Sequence, residues 1–315
     1  MATDPAGPQP AGPGPQPADH AGPQPADPPG PQPAGPAAVS HLPVRAGRNL
    51  PAAIAVGVGL GGLVILTLFT VKATFLLYMG IALAIGLAEL AGAFGKRDIR
   101  IPVIPVAAGG TAVITCAYWL GPSWALAALA LTVVAILAWR LAGGPSGYVR
   151  DVTAGIFATI YVPFLAAFVA AMLVPPDGAK RVLTFVILTI SSDIGGYFAG
   201  ITLGRAGHHL MAPVISPKKT WEGFAGSVAA GLAAGALCVT LMLHGHAWQG
   251  LLTGAAAVLA AILGDLVESM IKRDLDIKDM GTLLPGHGGL LERLDSLLTA
   301  APAVWLLLYL FIPAR

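Results

Sequence analysis

Proline, glycine and charge divide this chain into about nine continuous apolar runs, each long enough to cross a ~30 Å hydrocarbon layer. They fall at 50–71, 73–94, 102–120, 122–139, 152–174, 182–203, 223–244, 249–270 and 290–312, with Pro102, Pro105 and Pro122 punctuating the third and fourth. Lipid offers no water to backbone amides, so a spanning segment must be a helix or part of a closed barrel. Barrel strands alternate apolar and polar residues, whereas these runs are unbroken. The expected fold is therefore all-α, a polytopic integral membrane protein. Composition agrees: hydrophobic residues are 56% of the chain and charged ones 11%, too little polar surface to cover a water-soluble core of this size.

Two regions follow from the same pattern. Residues 1–49 repeat Pro, Ala, Gly and Gln with few apolar side chains to bury, which predicts a disordered tail with polyproline II character. The tail lacks the basic start and apolar core of a signal peptide. Residues 50–315 are expected to form one membrane domain. Cys116 and Cys238 each lie inside an apolar run and read as packing residues, neither disulfide nor ligand.

Basic residues set the expected orientation. With nine spans, Arg45, Arg48, Lys96, Arg97, Arg100, Arg140, Arg150, Arg205, Lys218, Lys219, Lys272, Arg273, Lys278 and Arg293 share one side. Only Lys72, Lys180, Arg181 and Arg315 face the other. The excess of Lys and Arg assigns the first side, with the tail, to the cytoplasm.

Three polar clusters face that same side. In the eighth run Asp265, Glu268, Ser269 and Lys272 stand at i, i+3, i+4 and i+7, one face of a helix. At the start of the ninth, Glu292, Asp295 and Ser296 share a face, and in the sixth Asp193, Gly196, Tyr197 and Gly200 do. An acid at mid-membrane costs roughly 3 kcal/mol on insertion scales, so several unpaired acids would together cost on the order of 10 kcal/mol. Lysines and arginines can neutralise some of them; bound cations are the other route. Carboxylate oxygens suit Mg²⁺, with Asp265 and Glu292 the preferred ligands and Glu268, Asp295 and Asp193 the next candidates. A second cation is left open.

Two loops look built for anions. Ser216-Pro-Lys-Lys-Thr-Trp-Glu-Gly223 puts Ser216, Lys218, Lys219 and Thr220 just before a helix start. Pro285-Gly-His-Gly-Gly289 precedes the ninth run, where Gly288 and Gly289 offer backbone N–H groups and His287 a donor to a phosphate oxygen. Gly57-Val-Gly-Leu-Gly-Gly62 formally matches a dinucleotide loop, but it lies within an apolar run with no strand before it and reads as helix packing. Glu89, an acid in the second run, has two readings: it serves the polar site, or it pairs with a base.

The stretch from Ser269 to Asp295 resembles the signature of phosphatidate cytidylyltransferases, the CDP-diacylglycerol synthases. Ser269, Lys272, Arg273, Lys278, Asp279, Gly281, Pro285, His287, Gly288, Gly289, Arg293 and Asp295 fall on its fixed positions, and the Ser216–Gly223 loop is similar to another of its motifs. Glu292 departs from it, standing where the family usually has Asp, a carboxylate moved by one methylene. The specific likeness covers about 189–301 and leaves out the tail. The resemblance implies transfer of a cytidylyl group from CTP to phosphatidate in phospholipid biosynthesis, assisted by Mg²⁺. It implies catalytic roles for Lys272, Arg273, Asp279, His287, Arg293 and Asp295, and metal ligation by Asp265, Glu292 and Glu268. Substrate contacts are expected from Asp193, Ser216, Lys218, Lys219, Thr220, Ser269, Lys278, Gly288 and Gly289. The partners expected are CTP and phosphatidate of the inner leaflet of a plasma membrane, with no nucleic acid and with a homodimer left open. A cation-coupled transporter also uses intramembrane carboxylates. Here, however, the polar residues gather in the last third, without an internal repeat.

Overall fold

The computed structural model describes residue 12 and residues 50–204, 209–281 and 288–314, apart from the side chains of 50–58, 60, 217 and 218. The expected tail other than Gly12, the Lys218 side chain, Pro285 and His287 lie outside the described residues. Each apolar run contains a helix: α1 Leu50–Thr70, α2 Lys72–Gly95, α3 Val103–Trp119, α4 Pro122–Leu141, α5 Tyr148–Leu173, α6 Gly178–Thr202, α7 Trp221–Met242, α8 Ala247–Asp274 and α9 Leu291–Phe311. Among the described residues, seven of them, α2 and α4 to α9, are long and apolar enough to cross a membrane. α3, at 17 residues, is about 25 Å long at 1.5 Å per residue. It therefore falls short of a full ~30 Å core. The break between α3 and α4 is made by Gly121 at φ +93°, followed by Pro122 in the first helical position. Cys116 and Cys238 are free, as their apolar surroundings suggested.

α5 is the most enclosed of these seven spans, with 61% of its apolar stretch buried against 17% for α4. Pro163 interrupts its ladder because proline has no N–H, and residues Ile160–Phe164 take up a π turn in which Leu165 N–H reaches Ile160 O. The Pro163 ring seats on Gly110 of α3, where a Cβ would come within 2.7 Å of it.

The last four helices pack in chain order, α6 on α7, α7 on α8 and α8 on α9. Lipid tails are as apolar as leucine, so such helices associate through close backbone packing rather than hydrophobic exclusion. Gly231 and Gly235 of α7 face Gly254 and Gly250 of α8; a Cβ on Gly235 would lie 2.2 Å from the Gly250 carbonyl oxygen. Gly195 of α6 meets Gly226 of α7 in the same way.

Ionic clasps fasten the two ends. Arg181, 4% exposed, pairs with Asp177 and donates to the carbonyls of Leu308, Ile312 and Pro313, so a cation closes the C-terminus of α9. At the other end, the fully buried Asp151 accepts from Arg140 Nε at 2.9 Å, Arg150 Nε at 3.2 Å and the Arg100 amide at 3.1 Å. Arg97 Nε donates to Leu275 O just past α8 at 3.0 Å. A short antiparallel hairpin, β1 Leu210–Ala212 and β2 Ser216–Thr220, joins α6 to α7.

Candidate active site

The site begins with a glycine. Gly264 on α8 lies against α9, where a Cβ would sit 2.1 Å from Thr299 Oγ1 and 2.5 Å from Asp295 O. With no side chain there, the two backbones approach, and Asp295 of α9 meets the acidic face of α8. One carboxylate oxygen from each of Asp265, Glu268 and Asp295 lies within 4.8 Å of the others. Glu268 is 2% exposed and Asp295 6%. Asp295 Oδ1 accepts from the Ser296 amide at 2.6 Å, whereas Glu268 Oε1 is buried with no hydrogen-bond partner among the described residues. Ser269, one turn on from Asp265, makes only a long 3.5 Å contact with it.

Lys272 bridges the two helices, with Nζ 2.9 Å from Glu268 Oε2 and 3.2 Å from Glu292 Oε1. Glu292 also accepts from the amides of Met280 at 3.3 Å and Gly289 at 3.1 Å. Its two oxygens thus hold the polypeptide that leads into α9. Gly288 sits against it at φ +77°, where a Cβ would fall 2.0 Å from Glu292 Oε2, so only glycine fits. Among the candidate ligands, then, the acids that come together are Asp265, Glu268 and Asp295, while Glu292 is turned to Lys272 and backbone amides.

Beside the acids lies a cavity of about 270 Å³, lined among others by Asp193, Tyr197, Lys219, Thr220, Phe224 and Asp265. The hairpin delivers Lys219 to it, and Lys219 Nζ pairs with Asp265 Oδ2 at 2.6 Å. Asp193, from α6, lies in the electrostatic field of Asp265, Lys219 and Arg293. Ser216 is half-buried on β2. The Thr220 hydroxyl accepts from the Gly223 amide at 3.1 Å, so it caps α7. Arg273, Lys278, Asp279 and Arg293 are exposed around the helix ends.

A glycine-set approach of two helices, three converging acids and a lysine-rimmed cavity all lie in the part of the chain that carries the signature. Residues 51–311 match the model of the Cytidylyltransferase family. The chain belongs to the cytidylyltransferase family. It is 40% identical over 279 residues to the phosphatidate cytidylyltransferase of Mycobacterium bovis, covering 84% of this chain and 90% of that protein. The Mycobacterium leprae protein of the same name is 41% identical over 282 residues, covering 84% and 89%.

In this cytidylyltransferase one acid has a role that the sequence left undecided. Glu89, near the end of α2, accepts from the amides of Leu290 at 3.0 Å and Leu291 at 2.8 Å, capping the start of α9. Gly281 and Gly289 make room for it; a Cβ on either would come within 2.3 Å and 2.7 Å of its carboxylate. The signal in the sequence was an acid alone in an apolar run. Its partners lie some two hundred residues further on, beyond any local pattern.

Proposed function

We propose that this cytidylyltransferase moves the cytidylyl group of CTP onto the phosphate of phosphatidate, giving CDP-diacylglycerol and pyrophosphate. Family membership supports the reaction class. The observation that carries the reading is the convergence of Asp265, Glu268 and Asp295 beside a cavity rimmed by Lys219.

Three carboxylates this close repel one another unless something positive joins them. Their hard oxygens, and the Glu268 Oε1 that has no donor among the described residues, fit a divalent cation of the Mg²⁺ type. Asp265, Glu268 and Asp295 would hold it. When bound, such an ion offsets charge on the α-phosphate and on the leaving pyrophosphate.

The remaining work belongs to the chain. Phosphatidate brings its own nucleophile, a phosphate monoester with a second pKa near 6, which is largely dianionic at neutral pH. No protein base is required; the site must align two anions that repel each other. Lys219 exchanges its Asp265 partner for a nucleotide phosphate. Lys272 holds Glu268 and Glu292 in register across α8 and α9. Arg273, Lys278 and Arg293 draw anions to the mouth, the signature adds Lys218 and His287 to the anion-binding set, and the Gly288 amide contributes a donor. The excess of basic residues on this side supports a cytoplasmic mouth at the plasma membrane, with the diacyl chains remaining in the inner leaflet.

Purified protein in detergent, given Mg²⁺, cytidine-labelled CTP and phosphatidate, tests the reaction through the labelled lipid formed. Labelled CDP-diacylglycerol with equimolar pyrophosphate is expected, and none with diacylglycerol in place of phosphatidate. No labelled lipid from protein shown to be folded rules the reaction out.

A further inference from the structure

Asp193 of α6 lines the cavity beside the acids, together with Lys219 and Asp265. Weighed from the sequence as a metal ligand, it stands outside the cluster formed by Asp265, Glu268 and Asp295. Among the described residues it makes no hydrogen bond and no ion pair. A carboxylate left open in a cavity repels phosphate and attracts N–H donors.

The rest of the lining is apolar and aromatic. Met211 of β1, Phe224 of α7 and Ile262 of α8 contribute to it, and Tyr197 stands one turn along α6 from Asp193. Trp221 meets the Phe224 ring edge-on at a centroid distance of 5.7 Å and 78° between planes, which holds that ring in place. Glycines keep side chains off the wall where α6 meets α7. A Cβ on Gly196 would fall 2.4 Å from Ser227 Oγ, and one on Gly223 3.1 Å from Gly196 O. Cations and amides hold phosphates, so apolar walls with one open acceptor suit a different part of a ligand. At about 270 Å³ the cavity lies near the lower end of small-molecule sites, too small for a diacyl lipid and matched to a planar ring with its sugar. A carboxylate accepts from the 4-amino group of cytosine, whereas uracil presents a carbonyl oxygen there, which a carboxylate repels.

We propose that the cavity between α6, α7 and α8 seats the cytosine ring of CTP, with Asp193 accepting from its 4-amino group and so setting the preference for cytosine over uracil. This rests on the reading of CTP as the nucleotide donor and adds which residue reads the base. Phe224 and Tyr197 bring aromatic surface that serves any pyrimidine, so they supply affinity without choice.

Equilibrium dialysis of labelled CTP against purified full-length protein in detergent, with Mg²⁺ and no phosphatidate, tests it. The competitors are UTP and the triphosphate of pyrimidin-2-one riboside, which lacks the amino group and puts nothing in its place. The parent should bind CTP at least about tenfold more tightly than either, as expected for a hydrogen bond to a charged group. Asp193→Ala should bind all three alike. Asp193→Asn, whose amide can accept or donate, should narrow the gap between CTP and UTP at least about tenfold. A parent that binds the pyrimidinone nucleotide as tightly as CTP overturns the proposal whatever the variants do, and so does an Asp193→Ala that keeps the parent's preference. Selective CTP binding by a parent that transfers nothing to phosphatidate removes the proposed reaction and leaves the base site standing. No CTP binding by the folded parent removes both.

Discussion

Lys219 of β2 and Asp265 of α8 form an ion pair at 2.6 Å beside the cavity, joining the hairpin to the acidic face of α8. The pair holds Lys219 in the place where a nucleotide phosphate would be met and occupies one oxygen of a candidate metal ligand. Asp265 is the more exposed half of the pair, at 43% against 19% for Lys219, and a pair open to solvent on one side contributes on the order of 1 kcal/mol, which a nucleotide phosphate can replace. Lys219→Ala should raise the KM for CTP about tenfold, the worth of one charge-assisted hydrogen bond at about 1.4 kcal/mol per decade. Steady-state kinetics with CTP varied at saturating lipid checks it. An unchanged KM would leave Lys219 a purely structural partner of Asp265.

Glu89 holds the start of α9 from α2, and Arg181 holds its end from α6. An anion at the N-terminus and a cation at the C-terminus both oppose the helix dipole. Glu89→Gln keeps the size and one acceptor but loses the charge, and is expected to cost about 1 kcal/mol; Glu89→Ala, which leaves two amides unpaired, should cost about 2–3 kcal/mol. Denaturation in mixed micelles reads both. Equal stability of the alanine variant and the parent would remove the cap.

Gly264 sets how closely α8 approaches α9. Gly264→Val should separate Asp295 from Glu268 and lower turnover by at least about a hundredfold. Gly62→Ala, in α1 with open space around it, should change nothing measurable. Turnover of both variants at equal folded protein checks the contrast; normal turnover in Gly264→Val would show that this approach does not build the site.

Two buried aspartates should part company. Asp151 is satisfied by two arginines and an amide, and replacing it with Ala is expected to cost about 3–5 kcal/mol, as breaking a buried pair does. Asp295 lies among like charges, so without metal Asp295→Asn should melt no lower than the parent, even as it removes activity. Paired melting curves decide it, and a large loss of stability in Asp295→Asn would make that acid structural.

The spans were legible because in lipid each apolar run must satisfy its own backbone, and all of them contain helices. The i, i+3, i+7 spacing placed Asp265, Glu268 and Lys272 on one face, and the family resemblance marked the same region. The pairing of Asp295 rather than Glu292 with those acids was not legible. It depends on the approach at Gly264 and on Glu292 reaching back to the Met280 and Gly289 amides, both set by tertiary contact. Thr220, expected to contact substrate, lines the cavity and also caps α7, a role open to any hydroxyl just before a helix start. Glu89 stood out in the sequence as an acid in an apolar run with two readings left open, and what settles between them lies far off: its partners are the Leu290 and Leu291 amides some two hundred residues on.

The most direct measurement is Mg²⁺-dependent pyrophosphate release from CTP and phosphatidate by the parent and by Asp265→Asn, Glu268→Gln, Asp295→Asn and Glu292→Gln, each shown to be folded. The first three should lose at least about a hundredfold in turnover at every Mg²⁺ concentration. Glu292→Gln, which still offers an acceptor to its loop, should retain measurable Mg²⁺-dependent turnover. Turnover at the parent's level in any of the first three, or loss confined to Glu292→Gln, would contradict a metal centre built from Asp265, Glu268 and Asp295.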